Sequence, residues 1–350
     1  MLFNSIQYLI FFPIVASLYF LIPHKYRWLL LLAASYYFYM SWKAEFILLI
    51  LTSTATAYFA GLAMAKTSNK GSKRLYLWLG IGVNLGLLFF FKYFNFLGEI
   101  ISDLSRVVGS REMSISLKVL LPVGISFYTF QTLSYIIDVY RGNKTPERHF
   151  GIFALYVAFF PQLVAGPIER STRLLPQFFQ KKDFDYARVT DGMKLIFWGL
   201  FKKVVIADRL AIFVNEIYNS PNDYGGRHLL IATYFFAFQI LCDFSGYSDI
   251  AIGSAKVLGY DLMENFRRPY FAKSTSDFWN RWHISLSTWL RDYLFLPITY
   301  GITKRLSDKG IEPPKPETWG YISGIVITMF LCGLWHGAGW TFILWGTVQG

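Results

Sequence analysis

Charged side chains are scarce in this chain of 350 residues. Asp, Glu, Lys and Arg together make up 16% of it, whereas they form about a quarter of an ordinary soluble domain. Hydrophobic residues make up 54% and aromatic residues 19%, and the mean hydropathy is +0.36. This composition excludes an ordinary soluble domain and indicates a protein that crosses a membrane several times.

Cysteine is nearly absent, and several short motifs of known chemistry are missing. Cys242 and Cys332 stand in apolar surroundings, so we expect two buried small hydrophobic side chains and no disulfide framework. The chain has no phosphate-binding glycine loop, no dinucleotide-binding glycine motif, no HExxH zinc motif and no GxSxG nucleophile motif. We therefore predict no metal centre and no tightly bound cofactor.

Acidic residues are fewer than basic ones, 22 against 34, which gives a net charge of +12. The basic residues lie in short loops between apolar runs, and this is the pattern that orients membrane proteins. Lys25 and Arg27 follow the first apolar run, and a basic group at 66–74 follows the third. Placing both loops in the cytoplasm puts the N-terminus outside. We predict a lipid bilayer as surroundings and no nucleic-acid partner.

Uncharged apolar runs recur along the whole chain, and about 20 such residues span a bilayer. Residues 1–23 lack a basic leader and a small-residue cleavage site, so we predict a retained span there and not a signal peptide. The spans are predicted near residues 6–22, 28–41, 46–65, 75–91, 119–137, 150–168, 195–214, 229–258 and 321–350.

Several of these runs are short or interrupted, and Pro and Gly-Pro break the one at 159–168. Non-helical backbone survives at membrane depth only where protein buries it or it lines a cavity, so we predict discontinuous or re-entrant helices. The simplest interpretation is one all-α integral-membrane domain over residues 1–350. Because the chain stops inside an uncharged run, we also expect that C-terminal spans are missing from this sequence.

A histidine stands inside the least charged stretch of the chain. Residues 318–350 contain no Asp, Glu, Lys or Arg, yet His336 lies among them with Gly333, Gly337 and Gly339 close by. An ionisable group at membrane depth marks a functional site by default, and glycines allow a backbone or ligand to approach closely. Imidazole suits general-base work near pH 7, such as removing the proton of a hydroxyl that attacks a thioester. The alternative is a buried histidine bonded to a backbone carbonyl.

Residues 274–297 hold a second candidate, with a capping-box-like helix start at Ser274 and an aromatic stripe at helical spacing. On one continuous helix, His283 and Arg291 would share a polar face. Such a helix would lie in the membrane interface or line an internal chamber. The second interpretation requires His283 and His336 to meet in space.

Two carboxylates, Asp243 and Asp249, lie six residues apart in an apolar run. They could form an acid–base pair, but such groups more often belong to a structural network with serine and tyrosine hydroxyls. Lys202 and Lys203 lie beside a predicted span. We favour snorkelling or cytoplasmic orienting charges for this pair over contacts with acyl-carrier phosphates.

Five strings, taken in order, resemble the membrane-bound O-acyltransferase family, and most closely its bacterial branch around alginate O-acetylation. They lie at residues 121–142, 160–170, 243–253, 278–297 and 334–346. The resemblance implies a helical bundle with re-entrant helices around a tunnel or funnel across the membrane. In this resemblance, His336 corresponds to the catalytic histidine of the family's Trp-His-Gly motif. His283 corresponds to the histidine of its Arg-Trp-His-Ile-Ser motif, the second site residue.

The resemblance further implies transfer of an acyl group, expected to be acetyl, from a cytoplasmic thioester to a polysaccharide outside the cell. Acetyl-CoA or another acyl thioester would be the co-substrate, and a secreted or membrane-anchored acetyltransferase would be a partner. The location would be the bacterial cell membrane, crossed many times. His336 is expected to act as general base and His283 to orient or polarise the thioester carbonyl. Arg281 and Arg291 are weaker candidates for positioning or for binding the donor.

Other functions fit the same residues. Within the family, the alternatives are peptidoglycan O-acetylation and D-alanylation of teichoic acid. A transporter could use intramembrane His, Asp and Arg as a proton relay, although we find no inverted repeat that would favour it. A third alternative is a structural subunit of a polymer-export complex, in which the polar residues should tolerate replacement.

Overall fold

The structure is a computed structural model that describes residues 1–107 and 120–350. This part of the chain is mostly α-helical and contains no β-strand. The helices are α1 Ile6–Leu21, α2 His24–Met40, α3 Ile47–Lys66, α4 Lys70–Val107, α5 Ile125–Arg141, α6 Phe150–Ala158, α7 Phe160–Leu163, α8 Ser171–Phe178, α9 Tyr186–Leu200, α10 Asp208–Asn219, α11 Gly226–Leu258, α12 Thr275–Trp279, α13 Ile284–Leu290, α14 Leu296–Ser307, α15 Lys315–His336 and α16 Trp340–Gln349. Short π-helical segments, Phe201–Ala207 and Arg291–Phe295, join α9 to α10 and α13 to α14.

Four helical segments of the described residues are long and apolar enough to cross a membrane. They are Ala44–Lys66, Lys70–Arg106, Gly226–Leu258 and Lys315–His336, with mean hydropathies from 1.4 to 1.8. Many large apolar side chains on these helices are exposed, as expected of surfaces that face lipid. The predicted all-α, multi-pass membrane fold is confirmed. The span predicted near 119–137 begins at residue 119, which lies outside the described residues, and α5 forms most of the rest.

Aromatic rings join the first helices to the buried interior. Tyr8 and Phe11 of α1 pack against Phe38 of α2, with ring centres 6.1 and 6.0 Å apart. Phe160 of α7 meets Phe11 edge-on at 5.3 Å. Aromatic pairs in such arrangements add stability beyond their buried area, so Phe160 anchors α7 to α1 and α2.

The run at 150–168 is a broken element, as its Pro and Gly pattern predicted. Helix α6 stops at Ala158, and the four-residue α7 follows after Phe159. Every residue from 152 to 163 is buried, so protein buries the break, as membrane depth requires. Gly124, at φ +78°, begins α5 against this element, and a Cβ there would come within 2.5 Å of the Leu163 carbonyl oxygen.

Helices α9 and α11 cross at glycines. A Cβ added at Gly199 would lie 2.6 Å from the Gly246 carbonyl oxygen, and Gly192 faces Gly253 in the same way. Small residues let the two backbones approach closely, which is a common device of membrane helices.

Ion pairs flank this crossing. Asp249 accepts a bond from Lys202 at 2.7 Å, and Asp243 contacts Lys203 at 2.6 Å. The two carboxylates therefore belong to a structural network, but their partners among the described residues are lysines and not the serine and tyrosine hydroxyls that were predicted. The prediction that the lysines snorkel is wrong, because both ammonium groups are largely buried against these carboxylates, and their role as orienting charges stays a prediction.

The single helix expected over 274–297 is wrong. The helix start at Ser274 is confirmed, since its hydroxyl accepts the Asp277 amide at 3.1 Å, but α12 ends at Trp279. The main-chain amide of Ile284 donates to the Asn265 carbonyl at 2.9 Å and that of Ser285 to the Asn265 side chain at 3.2 Å. These two amides bond a separate loop, and the next helix, α13, begins only at Ile284. His283 precedes α13 and therefore shares no helical face with Arg291.

Candidate active site

Trp335 brings the two predicted histidines together. Its indole centre lies 6.3 Å from the ring of His283 and 4.8 Å from the ring of His336. One histidine comes from the loop before α13 and the other from the last residue of α15. Both histidines therefore lie against one indole, and their working together in one chamber stays a prediction.

His283 is buried, with 2% of its surface exposed. Its Nδ1 lies 3.0 Å from Asn265 Oδ1, the same atom that accepts the Ser285 main-chain amide at 3.2 Å. Because a backbone N–H can only donate, the shared atom is the amide oxygen, and His283 Nδ1 must carry the proton. Neutral His283 therefore presents a lone pair at Nε2, an atom that is buried and has no partner among the described residues.

Asn265 holds this arrangement and was not predicted from the sequence. It is 1% exposed, and its Nδ2 donates to Ser248 Oγ of α11 at 3.1 Å. The Ser285 hydroxyl donates to the same Oδ1 at 2.9 Å. A single asparagine in a charged loop carries no sequence signal for this role, which arises only when the loop packs against α11 and α13.

The backbone of His283 is also unusual, with φ +42° and ψ +54°. A residue other than glycine in this left-handed region stores strain, and such residues cluster at functional sites. The bonds from Ile284 and Ser285 to Asn265 hold the chain in this conformation. The imidazole in this conformation lies among aromatic side chains.

Aromatic rings enclose the buried histidine. Phe244 meets it edge-on at 4.7 Å, Phe266 lies nearly parallel at 6.3 Å and Phe127 lies at 6.4 Å. These rings come from α11, the loop after it and α5. An apolar enclosure of this kind excludes water and strengthens each remaining polar contact of the imidazole.

His336 is exposed, in contrast to His283. Its ring stands edge-on to Trp335 at 4.8 Å and to Trp345 of α16 at 5.0 Å. Helix α15 ends at this residue, and the extended Gly337 starts a turn that leads to α16. The site thus has one exposed histidine and one that protein encloses.

The glycines near His336 serve the packing of α16. Gly333 approaches the backbone of Gly346 so closely that a Cβ would lie 2.8 Å from its Cα. Gly337 faces the ring of Phe342. Close backbone approach was predicted for these glycines, and for Gly333 it is confirmed.

The two arginine candidates bond to neighbouring carboxylates. Arg281 Nε donates to Asp277 at 2.7 Å, and this bond lowers the pKa of the Asp277 carboxyl. Arg291 Nε donates to Asp292 at 2.8 Å. Arg291 also lines a cavity of about 390 Å³ between α12, α13 and α15. Neither arginine bonds a histidine of the site among the described residues, and their positioning roles stay predictions.

Cys242 and Cys332 are both free and buried, as predicted. Within residues 1–107 and 120–350, no three His, Cys, Asp or Glu side chains lie close enough together to hold a metal ion.

Comparison with known proteins supports the family resemblance that the motifs indicated. Residues 148–350 match the profile of the membrane-bound O-acyltransferase family. The whole chain is 42% identical to a Pseudomonas putida protein named "Probable alginate O-acetylase AlgI" and covers 69% of that protein. It is 35% identical to the peptidoglycan O-acetyltransferase of Helicobacter pylori, over 92% of this chain and 62% of the relative.

A more distant relative is the teichoic acid D-alanyltransferase of Bacillus subtilis, 31% identical over 64% of this chain and 56% of its own length. The chain therefore spans between 56% and 69% of the length of these relatives. The family profile covers more than half of the chain and includes both histidines of the site. The protein belongs to the membrane-bound O-acyltransferase family and, as its motifs predicted, is an O-acyltransferase.

Proposed function

We propose that the protein moves an acetyl group from a cytoplasmic thioester to a hydroxyl of an extracytoplasmic polysaccharide, either directly or through a partner acetyltransferase. The observation that carries the proposal is the pair of histidines on one indole, one exposed and one enclosed. Similarity to an alginate O-acetylase along the full chain favours acetyl over other acyl groups and a polysaccharide over other acceptors.

The reaction moves one proton from the acceptor hydroxyl to the leaving thiolate and replaces a C–S bond by a C–O bond. The acceptor oxygen attacks the thioester carbonyl carbon, a C–O bond forms and the C–S bond breaks. His336 takes the hydroxyl proton as the attack proceeds and returns it to the leaving thiolate. An exposed imidazole suits this role because the acceptor hydroxyl must reach it.

His283 supports the reaction through its Nε2 lone pair. As a hydrogen-bond acceptor, this atom orients a hydroxyl group, whereas polarising a thioester carbonyl requires a donor. Trp335 Nε1–H, which is buried and unpartnered among the described residues, is a donor next to both histidines. We therefore assign a neighbouring hydroxyl of the acceptor sugar to His283 and the thioester carbonyl to Trp335, while the attacking hydroxyl donates its single proton to His336.

The co-substrate in this proposal is acetyl-CoA or another acetyl thioester from the cytoplasm, and the protein would act in the bacterial cell membrane. A secreted or membrane-anchored acetyltransferase could carry the acetyl group onward to the polymer. Peptidoglycan O-acetylation is the second candidate, supported by 35% identity to an enzyme with that name over most of the chain. The transporter alternative is weakened by the two carboxylates of α11, which are bound to lysines instead of being free for relay.

The test uses the full-length protein in nanodiscs with radiolabelled acetyl-CoA, alone and with a candidate partner acetyltransferase from the same organism. Loss of thioester and transfer of label are followed for the wild type, His336→Ala, His283→Ala and the control Trp319→Phe, an exposed residue remote from the site. We expect transfer by the wild type and control and none by His336→Ala. Stable acetyl-CoA with the wild type in the presence of the partner would refute the proposal.

A further inference from the structure

Helix α4 contacts the turn that carries His336. Lys92 Nζ donates to the carbonyl oxygen of Trp335, and the hydroxyl of Tyr93 donates to the carbonyl oxygen of Leu334 at 2.7 Å. One turn further along α4, Phe96 meets Trp340 at 5.7 Å between ring centres. A short stretch of α4 thus holds both the end of α15 and the start of α16.

The end of α15 requires donors from elsewhere. The last carbonyls of an α-helix have no intrahelical partner, and many helices satisfy them with a left-handed glycine after the helix. Gly337 instead has φ −170° and continues in an extended conformation. Lys92 and Tyr93 provide the missing donors, and the ammonium group also suits the negative end of the helix dipole.

Lys92 is a basic residue without a carboxylate partner among the described residues. None of the ion pairs found within residues 1–107 and 120–350 includes this lysine, although it lies in a helix apolar enough to cross the membrane. Its ammonium lies 5.3 Å from the centre of the Trp335 indole, a distance at which cation–π attraction operates. A charged side chain at membrane depth is energetically costly and usually marks a functional site. The contacts of Lys92 with the Trp335 carbonyl and indole therefore indicate a function at that tryptophan.

We propose that Lys92 is a positioning residue of the acyl-transfer site. It fixes the main chain at Trp335 and the plane of the indole, and through them the ring of His336. This inference rests on the function proposed above. A shift of about 1 Å in a reacting group can lower a rate by about a hundredfold, so loss of this contact affects the catalytic step more than donor binding.

The kinetic test compares Lys92→Met, Lys92→Arg and Tyr93→Phe in the full-length protein. Asn84→Leu is the matched control, because Asn84 lies in the same helix, is 1% exposed and bonds Thr132 at 3.0 Å away from the histidines. We expect Lys92→Met to lower kcat by about ten- to a hundredfold with an unchanged KM for the thioester. Lys92→Arg should recover most of the rate, and Tyr93→Phe should give a smaller loss. The control should lose thermal stability but keep its kcat.

A second measurement does not depend on activity. Amide hydrogen exchange of residues 330–340, followed by mass spectrometry in nanodiscs, should become faster in Lys92→Met and stay unchanged in Asn84→Leu. Unchanged exchange and kcat in Lys92→Met would overturn the positioning role, as would equal losses of kcat in Lys92→Met and the control. If the wild type transfers no acetyl group, the proposed function fails while the exchange result still decides whether Lys92 holds this turn.

Discussion

Replacing Asn265 by leucine tests the chemistry of the site most directly. The substitution keeps a side chain of similar size but removes the oxygen that accepts His283 Nδ1–H and the Ser285 amide. A buried donor left without an acceptor costs about 1–3 kcal/mol. The Ser285 hydroxyl also loses this acceptor but can rotate to another, so the two fixed donors predict a loss of about 2–6 kcal/mol in the free energy of unfolding.

The catalytic consequence is separate from the loss of stability. Without Asn265 Oδ1, the described contact left to His283 Nδ1 is the Ser285 hydroxyl at 3.4 Å, which can donate or accept, so the lone pair at Nε2 is no longer guaranteed. We expect the transfer rate of Asn265→Leu to fall by about a hundredfold or more, since a wrong tautomer of an essential histidine is among the more damaging changes known in enzymes. Asn265→Asp keeps an acceptor oxygen and should retain a rate within about tenfold of the wild type.

The assay combines label transfer per folded molecule with nitrogen-15 NMR of selectively labelled histidine, which reports the tautomer of each imidazole. The wild type and Asn265→Asp should show the Nδ1–H form for His283, and Asn265→Leu should show a mixture. If Asn265→Leu keeps both the wild-type rate and the wild-type tautomer, the assignment of the lone pair to Nε2 is wrong.

Three further predictions follow from the packing and exposure of particular residues. Lys202→Met leaves Asp249 without its partner at 2.7 Å. The free energy of unfolding should fall by about 2–4 kcal/mol, somewhat less than for a fully buried pair. Thermal unfolding of this variant and of the double variant Lys202→Met, Asp249→Asn checks the prediction, since the double variant should recover stability. Gly124→Ala places a Cβ within 2.5 Å of a carbonyl of α7 at a left-handed φ and should reduce the yield of folded protein, whereas alanine at Gly82, which faces open space, should be tolerated. Diethyl pyrocarbonate should modify the exposed His336 well before the enclosed His283, and equal rates of modification in peptide mapping would contradict the described exposure.

Periodicity and motifs predicted much of this fold because long apolar helices depend on local composition. The break at 159–168 was also predictable, since Pro and Gly act on their own neighbours in the chain. The continuous helix over 274–297 was wrong because its amides at 284 and 285 bond a loop that periodicity cannot bring near. Here tertiary hydrogen bonds override a strong local helical pattern.

The site shows the same division between local and tertiary information. His336 stood out from the sequence because a lone ionisable group in a long apolar run is conspicuous, and His283 stood out through its motif. Asn265 and Lys92 gave no such signal, since one lies in an ordinary charged loop and the other reads as one more basic residue of a long helix. Their importance comes from the atoms they meet in the fold, the imidazole of His283 and the carbonyl of Trp335.

The residues of the site come from distant parts of the chain, from Lys92 in α4 to His336 at the end of α15. A nascent chain that has emerged only as far as α13 contains the enclosed histidine but lacks the indole and the exposed imidazole that complete the centre. Under the function proposed above, such a partly synthesised protein lacks the base on which acyl transfer depends. The proposed centre is completed only when α15 has been made and has packed against α4.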